Sequence, residues 1–117
     1  MIREILSSET GLAFEAMREL RSHLRDQPQF VRLVNEVQRP EGYRLVGVFE
    51  EPYPVAASVA GFRIGNSLSW GRFLYIDDLS TLPRARGRGH GRRLLEWLVD
   101  EGARWMPTAS SRLRRWR

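Results

Sequence analysis

The chain has 117 residues, which is room for one domain with a core of its own and not for two. Its 42% hydrophobic and 10% aromatic content excludes a disordered chain, and the absence of cysteine excludes disulfides and thiolate metal sites. All 19 basic residues are arginine and the formal net charge is +5, yet four arginines stand in the last ten residues beside no acid, so the body of the chain is close to neutral. No apolar run is long enough to span a bilayer, and the N-terminus lacks the layout of a signal peptide. The expectation is a soluble, cytoplasmic protein that engages no membrane and carries no metal.

Ile2–Leu6 reads as a short strand. Ser7 or Ser8 is placed to cap a helix on which Ala13, Met17, Leu20 and Leu24 recur at helical spacing. Asp26-Gln27-Pro28-Gln29 starts a second helix, with Asp as N-cap, Pro in the first turn and Gln at the capping-box position. Phe30, Leu33, Val34 and Val37 supply its apolar stripe, and Arg39-Pro40-Glu41-Gly42 ends it. Tyr43–Glu50 alternates as a strand, Glu51-Pro52-Tyr53-Pro54 is a turn, and Val55–Ile64 has the continuous apolar run of a strand buried on both faces. Phe73–Leu82 is a further strand, interrupted by the acid pair Asp77-Asp78 and stopped by Pro83. Leu94, Leu95, Leu98 and Val99 mark an amphipathic third helix.

Between that strand and that helix lies Arg84-Ala85-Arg86-Gly87-Arg88-Gly89-His90-Gly91-Arg92-Arg93, five arginines in ten residues with no acid among them. A helix N-terminus leaves backbone N–H groups unpaired and carries partial positive charge. Glycines let the backbone turn tightly and approach a ligand. Together they form an anion cradle suited to a pyrophosphate. The P-loop is excluded because Arg92-Arg93, not Lys-Ser/Thr, follows Gly91. The dinucleotide fingerprint is excluded because the glycines run G-x-G-x-G.

The loop resembles the signature of the GNAT family of N-acetyltransferases, Q/R-x-x-G-x-G/A, with Arg86, Gly89 and Gly91 on its fixed positions. Tyr75–Pro83 looks like that family's fourth strand and Arg92–Leu98 like the helix that follows it. The resemblance covers roughly residues 1–106. It implies an α/β (α+β) fold with a mixed, mostly antiparallel sheet in the order β-α-α-β-β-β-α. It also implies transfer of an acetyl group from acetyl-coenzyme A to a small-molecule or peptide amine. In that picture Arg86, Gly87, Arg88, Gly89, His90, Gly91 and Arg92 hold the pyrophosphate. The exposed backbone of Leu79, Ser80 and Thr81 pairs with the pantetheine arm, and an N–H near Leu79 polarises the thioester. A general base in the family is commonly a carboxylate on the fourth strand. Asp77 and Asp78 are the candidates, and on a regular strand they point to opposite faces. His90 stands at a variable motif position and reads as solvent-facing; His23 reads as structural or surface. Tyr75 is not the equivalent of the tyrosine that often protonates the leaving thiolate.

The resemblance stops at the end of the chain. Residues 1–107 read as the domain and 108–117 as a basic tail without strand alternation or helical stripe. The family's C-terminal strands and fourth helix are absent from this reading, which implies a truncated or frame-shifted end. Strand four is then an exposed apolar edge, a site for homodimerisation, and acyl transfer is expected to be weak or undetectable. One alternative is a catalytically inactive coenzyme-A-binding remnant. Another is a small nucleic-acid-binding protein that uses the arginine loop and the tail with Trp116, although the loop's place between strand and helix argues against nucleic acid.

Overall fold

The computed structural model describes residues 1–69, 71–105 and 112–115. Strand β1 (Ile2–Ile5) leads into a 3-10 segment, Ser7–Ala13, and helix α1 (Phe14–Leu20). The serines do not cap this entry: Leu6 holds the cap position and no side chain bonds there. Helix α2 (Gln27–Arg32) does start at Asp26, whose Oδ1 accepts from the Gln29 N–H at 2.9 Å, while Gln29 Oε1 accepts from the Arg25 N–H at 2.7 Å.

Beyond Arg32 the helix widens into a π-helix, Leu33–Gln38, and closes in a 3-10 turn, Arg39–Glu41. Bonding from i to i+5 shifts the phase of the apolar stripe. Phe30 and Val34 are therefore buried as the spacing predicts, but Leu33 and Val37 stay 41% and 47% exposed. Leu20 is also exposed, because α1 ends there and Leu24 reaches the core from the following loop.

Strands β2 (Arg44–Val48), β3 (Ser58–Ser67) and β4 (Gly71–Thr81) follow, then a 3-10 turn, Pro83–Ala85, and helix α3 (His90–Trp105). The sheet runs in the order β1-β2-β3-β4-β5, antiparallel as far as β4. Its fifth strand, β5 (Arg112–Arg115), pairs parallel to β4 from Phe73↔Arg112 to Ile76↔Arg115. The order through α3 and the mixed, mostly antiparallel sheet agree with the sequence reading. The end of the chain differs, since four residues read as tail join the sheet and cover the first part of the β4 edge. Residues 106–111 and 116–117, including Trp116, lie outside the described residues.

Helices pack on both faces of the sheet. Met17, Phe30, Val34, Tyr43, Leu45 and Val59 share the core under α1 and α2. Phe62, Leu74, Ile76, Leu94 and Leu98 share the core under α3. Arg44 ties the α3 side together: it pairs with Glu4 at 2.9 Å and with buried Glu101, and lies 4.9 Å over the Phe62 ring.

The register of β3 and β4 slips once. Gly61 opposes Asp78, yet its neighbour Phe62 opposes Ile76, so Asp77 is an extra residue in β4, a β-bulge. Tyr43 packs over this point from the α1–α2 side, and a Cβ on Gly61 would sit 1.9 Å from its hydroxyl. Tyr43 cannot swing away without losing its bond to Asp78 Oδ2 at 2.8 Å. Gly61→Ala is therefore expected to lower unfolding free energy by about 1–3 kcal/mol, the scale of core overpacking. Denaturant melts check this, with a shift below half a kcal/mol contradicting it.

Candidate active site

Pro83 ends β4 and the chain turns through Gly87 and Gly89, at φ +80° and +81°, into α3. That left-handed region costs an L-residue about 1–2 kcal/mol, so glycine is required there. The first helical bond runs from the Arg93 N–H to the Gly89 carbonyl at 3.1 Å. Among the described residues, the N–H groups of residues 87 to 92 find no backbone acceptor. A Cβ built on Gly87, Gly89 or Gly91 meets nothing within 4 Å. The loop is thus an open concavity lined by N–H groups at the positive end of a helix, as an anion requires.

Glu50, two residues past the end of β2, organises the arginines. Its carboxylate accepts from Arg84 at 3.2 Å, Arg88 at 2.8 Å and His90 Nε2 at 2.7 Å. The bonds from His90 and Arg88 hold the Glu50 carboxyl below the usual carboxylate range. His90 is therefore not solvent-facing: it is 5% exposed and fixes the first residue of α3 to Glu50. Arg93 Nη1 stands 3.3 Å from the other ring nitrogen. Arg86 turns the other way, toward the Thr81 carbonyl at 3.3 Å and Glu19 at 3.7 Å, and Arg92 is exposed.

Leu79, Ser80 and Thr81 lie on β4 beyond its last β5 partner, Ile76, so that outer edge has no strand beside it among the described residues. The Leu82 N–H bonds inward to Ala57 at 2.8 Å. Strand backbone alternates, so the N–H groups of Leu79 and Thr81 face the open edge. Ser80 instead points under α1, its hydroxyl donating to the Ala16 carbonyl at 2.7 Å.

The bulge changes what the acid pair does. Leu74 and Ile76 face α3, and without the extra residue Asp78 would follow them. With it, Asp77 and Asp78 both face α1 and α2, and both line a cleft of about 270 Å³ with Tyr43, Arg21, Arg63 and Phe30. The expectation of opposite faces is corrected by that single residue. The two carboxylates then divide. Asp78 is 9% exposed and fully engaged, Oδ1 by Arg21 at 2.8 Å and Oδ2 by the Tyr43 hydroxyl. Burial beside Asp78 pushes the Tyr43 hydroxyl well above its usual pKa. Asp77 receives Arg63 Nε on Oδ2 at 2.9 Å, and its Oδ1 has no partner among the described residues. Burial raises the Asp77 carboxyl above its usual value, against the pull of Arg63.

Sequence reasoning missed Glu50, Arg21, Arg63 and Tyr43. Each meets its partner only through tertiary packing, 40 residues away for Glu50 and His90 and 57 for Arg21 and Asp78. The prolonged helical signal before Gly42 gave no sign of the π-helix beside the cleft. His23 is exposed and lines the same cleft.

The sequence model of the acetyltransferase (GNAT) family matches residues 12–114. No curated protein matches the sequence. Three similar solved structures align with the whole chain. An acetyltransferase from Trypanosoma brucei has a TM-score of 0.79 at 17% identity, with 82% of that protein covered. Glucosamine-6-phosphate N-acetyltransferase from Arabidopsis thaliana has 0.77 at 20% identity, with 81% covered. Ribosomal-protein-alanine N-acetyltransferase from Brucella melitensis has 0.79 at 12% identity, with 80% covered. At these identities the likeness concerns the fold.

The unequal partners of the two aspartates give opposite stability effects. Asp78→Asn removes a charged acceptor from Arg21 and Tyr43 and should cost about 1.5–3 kcal/mol, the scale of hydrogen bonds to charged groups. Asp77 has a raised folded pKa, so its ionisation opposes folding. That penalty is absent below the unfolded value of about 3.9 and grows as pH rises through the folded one. Asp77→Asn should thus gain on the parent protein between acid and neutral pH. Urea melts across that range check both signs, and equal losses for the two variants at neutral pH would contradict the assignment.

Proposed function

The chain belongs to the GNAT acetyltransferase family, and from that premise we propose that it transfers an acyl group from acyl-coenzyme A to a primary amine, with Asp77 as the proton acceptor. The observation that carries this reading is the continuity of three features along one segment. The bulge carboxylate at 77, the open strand edge at 79–81 and the unpaired N–H groups at 87–92 follow in the order that acceptor, pantetheine and pyrophosphate demand. The expectation of weak transfer rested on a missing fifth strand and a missing general acid; β5 answers the first ground by pairing with Phe73–Ile76, and the second stands.

Acyl-coenzyme A supplies an activated acyl carbon at its thioester. The N–H groups of residues 87 to 92 bind the pyrophosphate, supported by the positive end of α3. Arg88, half-exposed and held by Glu50, lies beside them to add a full charge. The outward N–H of Thr81 pairs with an amide of the pantetheine arm as an added strand would. The outward N–H of Leu79 is left to stabilise charge developing on the thioester oxygen. Asp77 Oδ1 takes the proton that the amine must lose to become a nucleophile. The new C–N bond replaces the C–S bond, and the second N–H proton, lost as the amide forms, neutralises the departing thiolate. Arg63 holds Asp77 in place, so the free oxygen faces the cleft.

Two outcomes are expected. Calorimetry should find coenzyme A binding that Gly89→Val abolishes with the circular dichroism unchanged, because a branched side chain is strained at φ +81° and fills the cradle. Unchanged affinity would overturn the cradle. In steady-state assays Asp77→Asn should lower kcat by about 10²–10⁴, the usual scale of general-base help. The parent's rate should fall toward acid with a midpoint above the ordinary aspartate value of 3.8, and the variant should lose that limb. An unaltered limb would remove Asp77 from the mechanism.

A further inference from the structure

Resting on the acyltransferase reading above, we propose that the cleft on the α1–α2 side of the bulge is the acceptor site, and that its substrate class is a small monoamine on an uncharged apolar body, an alkyl or arylalkyl amine. Three observations carry the choice: the cleft's volume, its polar inventory and the character of its wall.

The cleft is open to solvent and holds about 270 Å³. At about 30 Å³ per water-sized group that is about nine such groups, room for a phenyl ring with a two-carbon amine.

Its charged and titratable lining groups are Arg21, His23, Tyr43, Arg63, Asp77 and Asp78. Most are already engaged. Arg63 spends Nε on Asp77, Nη1 on the Glu41 carbonyl and Nη2 on Gln38, and its guanidinium lies 5.3 Å from the Tyr43 ring centre. Arg21 directs Nε to Asp78 and Nη2 to Asp78 and the Asp77 carbonyl. Asp78 has both oxygens filled. Among the described residues the one carboxylate oxygen left toward the cleft is Asp77 Oδ1, one acceptor for one ammonium; the remaining donors are Arg21 Nη1 and exposed His23. A phosphate on the substrate would stand beside both carboxylates and meet arginines already paired to them. A second ammonium would find no second free carboxylate.

The opposite wall is apolar. Met17, Leu24, Phe30 and Val34 form its floor, and Leu33, 41% exposed, stands at its mouth. Leu20 and Val37, exposed at 44% and 47%, adjoin the lining residues Arg21 and Gln38 in the chain. The π-helix is what turns Leu33 and Val37 out of the core. An apolar body covers this surface, and its ammonium reaches Asp77. There the ammonium gives one proton to Oδ1, the neutral nitrogen bonds the acyl carbon as the C–S bond breaks, and the second N–H proton, lost as the amide forms, neutralises the departing thiolate.

The test uses the full chain and three amines of similar size: 2-phenylethylamine, O-phosphoethanolamine and putrescine. With coenzyme A present, 2-phenylethylamine should shift the nuclear magnetic resonances of Leu33 and Asp77. As acceptor it should exceed the other two in kcat/KM by at least about tenfold, the scale on which a pocket discriminates by shape and polarity. Leu33→Glu, at an exposed position that leaves the core intact, should raise the KM for 2-phenylethylamine by about tenfold and leave coenzyme A affinity unchanged. Preference for the phosphorylated amine or the diamine, shifts confined to another surface, or an unmoved KM in Leu33→Glu would overturn the assignment and leave the enzyme reading standing. Failure of coenzyme A to bind, or of every amine to be acylated, would overturn the enzyme reading and this inference with it.

Discussion

A β-strand sends successive side chains to opposite faces, and β4 departs from that rule at one residue, Asp77. The geometry of the candidate acceptor cleft depends on this departure. Before it, Leu74 and Ile76 build the core under α3; after it, Leu79 returns to that core while Asp78 and Ser80 face α1. Two neighbouring acids thereby share one cleft. The surroundings make them unequal: Arg21 and Tyr43 saturate Asp78, and Arg63 takes one oxygen of Asp77 and leaves the other. Burial then favours a proton on Asp77 more than on a free aspartate, which brings a weak base closer to the range in which it is useful. Gly61 is the counterpart in β3, the position where Tyr43 needs the space a side chain would fill.

The other end of the same segment is governed by charge. An arginine-rich loop would repel itself, and Glu50 is the group that holds it together, joined to Arg84, Arg88 and His90. Arg84 is further fixed 3.7 Å over the Tyr53 ring. Among the described residues the N–H groups of the cradle find no backbone acceptor, while most of the loop's side chains are tied to the protein. The anion binding proposed for this loop therefore draws on a preformed surface and not on flexible arms that would have to be ordered.

Much of this was legible in the chain, for identifiable reasons. Pro83, the glycines at 87, 89 and 91 and the apolar spacing of α3 are local signals, and local geometry is what they specify. The Asp26 cap and the strand runs are of the same kind. The bulge was not legible, because it is a property of register between β3 and β4 and no residue in β4 marks it alone. The Glu50–His90 bond joins residues 40 apart. Strand β5 reads as Arg-Leu-Arg-Arg, which has no strand pattern of its own; its conformation is set by the β4 edge it pairs with. The buried His90 was misread for a related reason, since a variable place in a motif says nothing about the carboxylate that packing brings to it.

The most direct test of the account is a crystal structure of the protein with coenzyme A and an amine. The pyrophosphate should lie against the N–H groups of residues 87 to 92, with the pantetheine arm along Leu79–Thr81. Asp77 Oδ1 should face the amine within hydrogen-bonding distance, while Asp78 keeps Arg21 and Tyr43. A pyrophosphate bound elsewhere, or a regular β4 that turns Asp77 and Asp78 to opposite faces, would contradict it.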